Sequence, residues 1–325
     1  MDNLTHSLVG LMMSRSGIDR KIPRAAPLMI VAANLPDVDV ISLAGGTLSY
    51  LSWHRGYTHS FAFAPLMALI AALIVLGRRI SCWAYFFSLA GVLSHLLLDW
   101  TNVYGVRLLL PFSARWLRLD QTGVVDPWIW AILLLAVAAP ALARMVSGEI
   151  GAKSRGPKRG WAWCALIALA AYEGARSAAH QRALAEMGAH LFNGSVPQRV
   201  AALAEGAIWR WRGVVEGPGW VEDISIDLRG TFDPDAGRID YAPEPSPAIE
   251  AARATPAFQK FAKFDQLPFW KITPAVDGTA VELIDLRFGT PREPGLEARA
   301  LVDAAGRVAE SSVSFFSLRP GTRAR

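Results

Sequence analysis

Cysteine is scarce in this chain: there are two, Cys82 and Cys164, in 325 residues. They lie far apart in apolar runs, which excludes a disulfide-stapled fold. The opening MDNLTHS carries an acidic residue and no basic run, so it does not read as a cleaved signal peptide. Internal repeats, a glycine-rich phosphate loop and a nucleophile elbow are also lacking. The formal net charge is only +5, and the basic residues fall mainly in short loops between apolar runs. That pattern excludes a nucleic-acid-binding stripe and points to membrane topology instead.

What is present changes near residue 190. Before it, apolar runs alternate with short basic clusters; after it, the texture is that of a soluble domain. Ser60–Gly77, Ile80–Leu98 and Val124–Ala143 are long enough to span a bilayer. A fourth run, Trp161–Ala178, is apolar until Glu173 and Arg176. Two shorter runs, Leu4–Met13 and Ala25–Leu35, suit a tilted or re-entrant hairpin packed on other helices. The fold class expected is mainly α: a polytopic helical membrane bundle of four to six segments over residues 1–190, then a small soluble α+β domain over 191–325. In the latter, GAIWRWRGVVEG, WVEDISIDLRG, TAVELIDLRFG and RVAESSVSFF read as antiparallel strands, and SPAIEAARATPAFQKFAKF as a helix interrupted by proline.

Loop charge orients the bundle. One set of loops holds eleven Lys and Arg, including Arg15, Arg24, Arg78, Arg79, Lys153 and Arg155; the alternate loops hold four, Arg55, Arg107, Arg115 and Arg118. The positive-inside rule puts the first set in the cytoplasm. The opposite, outer face then receives the C-terminal domain and an unusual collection of polar residues.

That collection is His6, His54, His59 and His95 with Asp2, Asp37, Asp39 and Asp99. His95 and Asp99 are four apart and share a helix face. Asp37 and Asp39 follow Pro36, where alternate residues of a loop can share a direction. His54 and His59 need a bend to aim together, which Gly56 allows. Histidine with aspartate is the ligand set of zinc, manganese or iron, and so many donors suit one or two ions. Close carboxylates repel unless a cation lies between them. Arg55 and Arg107 are candidates to hold an anionic substrate group, and Asn102 and Tyr104 to orient ligands or substrate. Asp126, before Pro127, reads as a helix cap and is also the candidate catalytic carboxylate.

The stretches HRGYTHS, NLPDVD and SHLLLDWTNVYGVRLLLPF resemble signatures of the YdjM-like family of bacterial inner-membrane proteins, known as membrane-bound metal-dependent hydrolases. The resemblance covers roughly residues 1–145, and the chain also resembles a longer branch of the family with an extra helix and a soluble C-terminal module. It implies metal ligation by His6, Asp37, Asp39, His54, His59, His95 and Asp99. The function expected is hydrolysis of a lipid-like or phosphoester substrate with one or two divalent ions, zinc first, then manganese or iron. Membrane lipids are the expected surroundings, with no nucleic-acid partner. The alternative is a metal-binding membrane protein or transporter without catalysis.

Overall fold

A computed structural model describes residues 1–149 and 158–315. Lys153 and Arg155 of the basic set lie outside the described residues. Contacts divide the chain into two units. The first comprises Met1–Asp39, Arg55–Gln181 and Ala204–Ile208; the second comprises Val40–His54, Arg182–Leu203 and the chain from Trp209.

The first unit is helical. Helix α1 (Asn3–Arg15) starts at Asp2, whose carboxylate accepts the Thr5 N–H at 3.0 Å. Helix α2 (Ala25–Asn34) does not stop at Leu35. It tightens at Leu35–Pro36 into 3₁₀ winding through Gly45, giving 21 continuous helical residues. The run that looked too short to cross a membrane is therefore long enough. After α3 (Thr47–Trp53) come α4 (Ala64–Leu76), α5 (Cys82–Thr101), α6 (Pro127–Glu149) and α7 (Lys158–Gly188).

The candidate spans do not coincide with the apolar runs. Among the described residues, Ala25–Gly45 and Cys82–Thr101 are long and apolar enough to cross. A third is counted only if the broken pair Thr47–His59 and Ala64–Leu76 forms one span. The reasons are local. Ser60–Phe63 is turn, which leaves α4 with 13 residues. The apolar part of α6, Pro127–Ala143, is at the short end of what crosses a bilayer. In α7, Glu173 and Arg176 interrupt the apolar run.

Small residues bring these helices together. A Cβ on Gly10 would stand 2.6 Å from the Met29 carbonyl oxygen, and one on Gly91 would stand 2.9 Å from the Ala32 Cβ. Backbones this close need glycine and alanine at the contact, as membrane helix pairs do. Ala32, Ala68, Ala71, Val92 and Leu96 fill the space between α2, α4 and α5. Met12, Leu98, Ile129, Leu133 and Leu169 do the same for α1, α5, α6 and α7.

The second unit holds two four-stranded antiparallel sheets. One runs β1 (Arg199–Ala204), β2 (Arg210–Gly217), β3 (Trp220–Asp227) and β4 (Arg238–Tyr241) in sequential order. The other runs β5 (Pro268–Ala275), β6 (Gly278–Asp285), β7 (Leu296–Val302) and β8 (Val308–Phe315). Between the sheets in sequence lie α8 (Pro247–Arg253) and α9 (Pro256–Phe264), two helices rather than one interrupted helix. Each opens on a Ser or Thr cap followed by proline, Ser246–Pro247 and Thr255–Pro256. On α9, Phe258, Phe261 and Phe264 form the buried face.

Candidate metal centre

Three elements of the helical unit converge on one point. The 3₁₀ winding after α2 supplies Asp37, the short 3₁₀ turn Tyr57–His59 supplies His59, and the last two turns of α5 supply His95 and Asp99. His59, His95 and Asp99 are fully buried, and Asp37 nearly so. Four donor atoms face one another. His59 Nε2 lies 3.1 Å from His95 Nε2, 3.3 Å from Asp37 Oδ1 and 3.4 Å from Asp99 Oδ2. His95 Nε2 lies 3.7 Å from Asp37 Oδ1 and 3.4 Å from Asp99 Oδ2.

The far side of each imidazole decides what these nitrogens can do. His95 Nδ1 is 2.7 Å from the Ala33 carbonyl oxygen, which only accepts, so Nδ1 carries the hydrogen. His59 Nδ1 is 3.2 Å from Asp39 Oδ2 and 3.0 Å from Thr58 Oγ1. The Thr58 hydroxyl already donates to that Asp39 oxygen at 2.7 Å, so His59 Nδ1 is the remaining donor. In the neutral rings both Nε2 atoms then present lone pairs to each other and to two carboxylates. Such a set of acceptors repels unless a cation sits among them.

The distances fit a cation. A tetrahedral zinc about 2.0–2.1 Å from each ligand holds its ligands about 3.3 Å apart. Asp99 Oδ2, the oxygen turned toward the two Nε2 atoms, makes no hydrogen bond within the chain. Neither ring nitrogen of the buried His6 makes one. That ring stacks on His95 with centroids 3.8 Å apart, and its Nε2 is 3.5 Å from Asp99 Oδ1.

The remaining predicted residues take supporting places. Asp39 lies behind His59, on the Nδ1 side, where it fixes the tautomer as a carboxylate does behind a metal-bound imidazole. Asp37 and Asp39 lie in 3₁₀ winding rather than an extended loop, yet their carboxylates come within 4.8 Å of each other. Asp37 meets His59 at Nε2 and Asp39 meets it at Nδ1. Arg55 Nη2 is 3.0 Å from Asp99 Oδ1, and its Nη1 donates to Asn102 Oδ1 at 3.0 Å. The Met1 amino nitrogen also contacts Asp99 Oδ1. Asp99 thus offers one oxygen to cations of the chain and the other to the donor cluster. Arg55 is held at a left-handed φ of 54° while its N–H donates to Asp39 at 3.0 Å; such strain is typical of functional loops. Tyr104 packs under the Arg55 guanidinium at 4.5 Å, and Asn102 accepts the Tyr104 N–H at 2.9 Å.

Three predicted residues are not among the four converging donors. Arg107 lies over the Trp116 ring at 4.8 Å. Asp126 caps α6, accepting the Trp128 N–H at 2.9 Å, and its other oxygen accepts the Tyr172 hydroxyl at 2.8 Å. Its bonds are those of a structural cap. His54 belongs to the second unit, where it ends α3 and stacks on Tyr50 with centroids 4.5 Å apart. Sequence reasoning missed Thr58 and the Ala33 carbonyl, which set the two tautomers. Thr58 could have been suspected from its place beside His59; a backbone carbonyl leaves no mark in sequence.

The Bacillus subtilis protein YfhP is 28% identical over 151 residues, 42% of this chain and 46% of YfhP. The Escherichia coli inner membrane protein YbcI is 38% identical over 121 residues, 34% of this chain and 67% of YbcI. The chain therefore spans less than half of YfhP and two thirds of YbcI. No solved structure matches this chain. The model of the YdjM inner membrane protein family matches residues 1–183, the stretch that contains every donor of the buried cluster. By that match over more than half its length, with its candidate membrane helices and buried His/Asp group, the chain belongs to the YdjM inner membrane protein family.

Proposed function

We propose that this protein is a membrane-bound, metal-dependent hydrolase acting on a lipid-like or phosphoester substrate in the headgroup layer. One observation carries the reading. Four buried acceptor atoms of His59, His95, Asp37 and Asp99 face one another with no hydrogen left to place between them. A divalent ion held there would lower the pKa of a bound water toward neutrality and polarise the bond under attack. Asp39 and the Ala33 carbonyl hold the imidazoles in the ligating tautomer, and Arg55 balances the outward oxygen of Asp99. His6 stands as the additional donor for a larger coordination shell or a second ion.

One feature favours a second reading, metal binding without catalysis. Four buried protein donors are enough to close a tetrahedral site, and closed sites are structural. Hydrolysis needs a position for water. A five- or six-coordinate ion provides one, and two carboxylates suit the harder ions, manganese or iron. The excess of Lys and Arg in one set of loops supports an orientation with the cluster toward the periplasm.

The test uses the purified full chain in detergent. About one or two equivalents of zinc, manganese or iron are expected. Hydrolysis of phosphoester or acyl-ester lipids should stop on chelation and return when the metal is restored. Bound metal without hydrolysis across both lipid classes favours the second reading; no metal above a control membrane protein sinks both. Val276, fully exposed in the second unit, serves for topology. In a chain lacking Cys82 and Cys164, Val276→Cys should react with an impermeant thiol reagent in intact spheroplasts. Labelling only after lysis would put that unit in the cytoplasm.

A further inference from the structure

At the far ends of the same helices from the donor cluster lies a cavity of about 600 Å³. Its wall is made by the turn before α2, the end of α4 and the start of α5. Ala84, in this wall, is fifteen residues before Asp99 on α5, about 22 Å along the helix axis. Lys21, Arg24 and Arg79 line it, and no acidic residue does. Buried Ile22 and Ala84, with half-buried Val75 and Leu76, provide the apolar part of the wall.

Two of the three cations are held in place by their side-chain contacts. Arg24 Nη1 is 3.3 Å from the Val75 carbonyl oxygen, at the end of α4. Lys21 Nζ stands 5.0 Å over the Trp83 ring. At Arg79 it is the backbone that is fixed: its main-chain N–H donates to the Leu76 carbonyl at 3.2 Å. Ser81 caps α5, a helix of 20 residues whose first turn adds a partial positive charge at the cavity. Leu73, Ile74, Trp83 and Phe86 are exposed on the adjoining turns, as residues facing acyl chains are.

We infer that this cavity binds the phosphodiester headgroup of an acidic membrane phospholipid, with the acyl chains lying along α4 and α5. Positive charge without a carboxylate matches the headgroup, and the apolar wall at a membrane-helix end matches the glycerol and chain ends. Basic pockets between membrane helices commonly take such lipids. The apolar wall and its exposed neighbours favour a lipid over a free phosphate ion. The site would tie the bundle to acidic lipid at the end opposite the donor cluster, and it does not depend on hydrolysis.

The experiment measures lipid retention by native mass spectrometry of the full chain in neutral detergent. Phosphatidylglycerol should be retained in preference to phosphatidylcholine. The variant Lys21→Gln/Arg24→Gln/Arg79→Gln should weaken that retention by about a hundredfold. The charge-preserving variant Lys21→Arg/Arg24→Lys/Arg79→Lys should keep it. Arg79→Gln alone, with a partial loss expected, serves if the triple variant cannot be purified. Metal content at the other end reports that the variants are folded. Equal retention of the two lipids, retention unchanged in the glutamine variants, or displacement by millimolar inorganic phosphate would each overturn the inference.

Discussion

Two buried ionic clusters, one in each unit, are satisfied in opposite ways. In the second unit, Arg287 forks onto Asp285: its Nε is 2.9 Å from Oδ1, and its Nη2 contacts Oδ2. The guanidinium also donates to the Phe264 carbonyl at 3.1 Å and lies between the Phe264 and Phe288 rings. Every charge there finds its opposite within the chain. In the first unit, the acceptors of Asp37, His59, His95 and Asp99 face inward, and the hydrogens that would pair them point away. Burial is the same; the difference is that Arg55 and the Met1 amino group meet only the outward oxygen of Asp99, and the chain supplies no counter-charge among the inward acceptors. A cluster that supplies its own is part of the fold, and one that does not has a place for something from outside.

Removing a donor from the open cluster should have the largest effect. His95→Ala or Asp99→Ala is expected to take bound metal from about one equivalent to near zero, read by element analysis. Retention of full metal in both variants would erase the distinction between the clusters. Breaking the closed cluster should act on stability instead. Arg287→Met leaves the Asp285 carboxylate buried and uncompensated, which costs about 3–5 kcal/mol. Thermal unfolding of the second unit should move down accordingly while metal content stays unchanged. A smaller effect is expected behind the open cluster. Asp39→Asn weakens the hold on the His59 tautomer and should lower metal affinity about 10–100-fold in a chelator competition.

The smallest effect concerns Asp265, beside the closed pair. Burial, and then the neighbouring Asp285 carboxylate, push its carboxyl well above the usual carboxylate range. Its Oδ2 makes no hydrogen bond within the chain. The folded state therefore holds this proton more tightly than the unfolded chain, which releases it near pH 3.9. The corresponding stability is present below that pH and is lost as pH rises above it. Asp265→Asn should flatten this decline. Parallel pH–stability curves for the two proteins from about pH 4 upward would show that Asp265 does not set the slope.

Much of this was legible in the sequence. His59, His95, Asp37 and Asp99 stand out because charge is rare in apolar helices, and the four-residue step from His95 to Asp99 fixes a common face. The strands β2, β3, β6 and β8 lie within stretches rich in β-branched and aromatic residues. β7, LEARALV, carries no such signal: its composition suits a helix, and pairing with β6 and β8 makes it a strand. Span lengths were misjudged where a helix boundary left no mark in hydropathy, as at Ser60–Phe63 and at Leu35–Pro36.

The sequence by itself determined the division between an apolar, helical first part and a strand-rich last part, the excess of cation in one set of loops, and a set of His and Asp candidates that contains the four buried donors. These follow from composition and spacing, which are local. Only the tertiary structure decided which donor atoms face one another, that Asp39 backs His59, that Arg55 serves Asp99, and which tautomer each imidazole adopts. Those depend on the winding of the chain after Pro36 and on a carbonyl at Ala33, sixty-two positions from the histidine it orients. Hydrogen bonds over such separations are set by how helices pack, and residue type alone does not encode them.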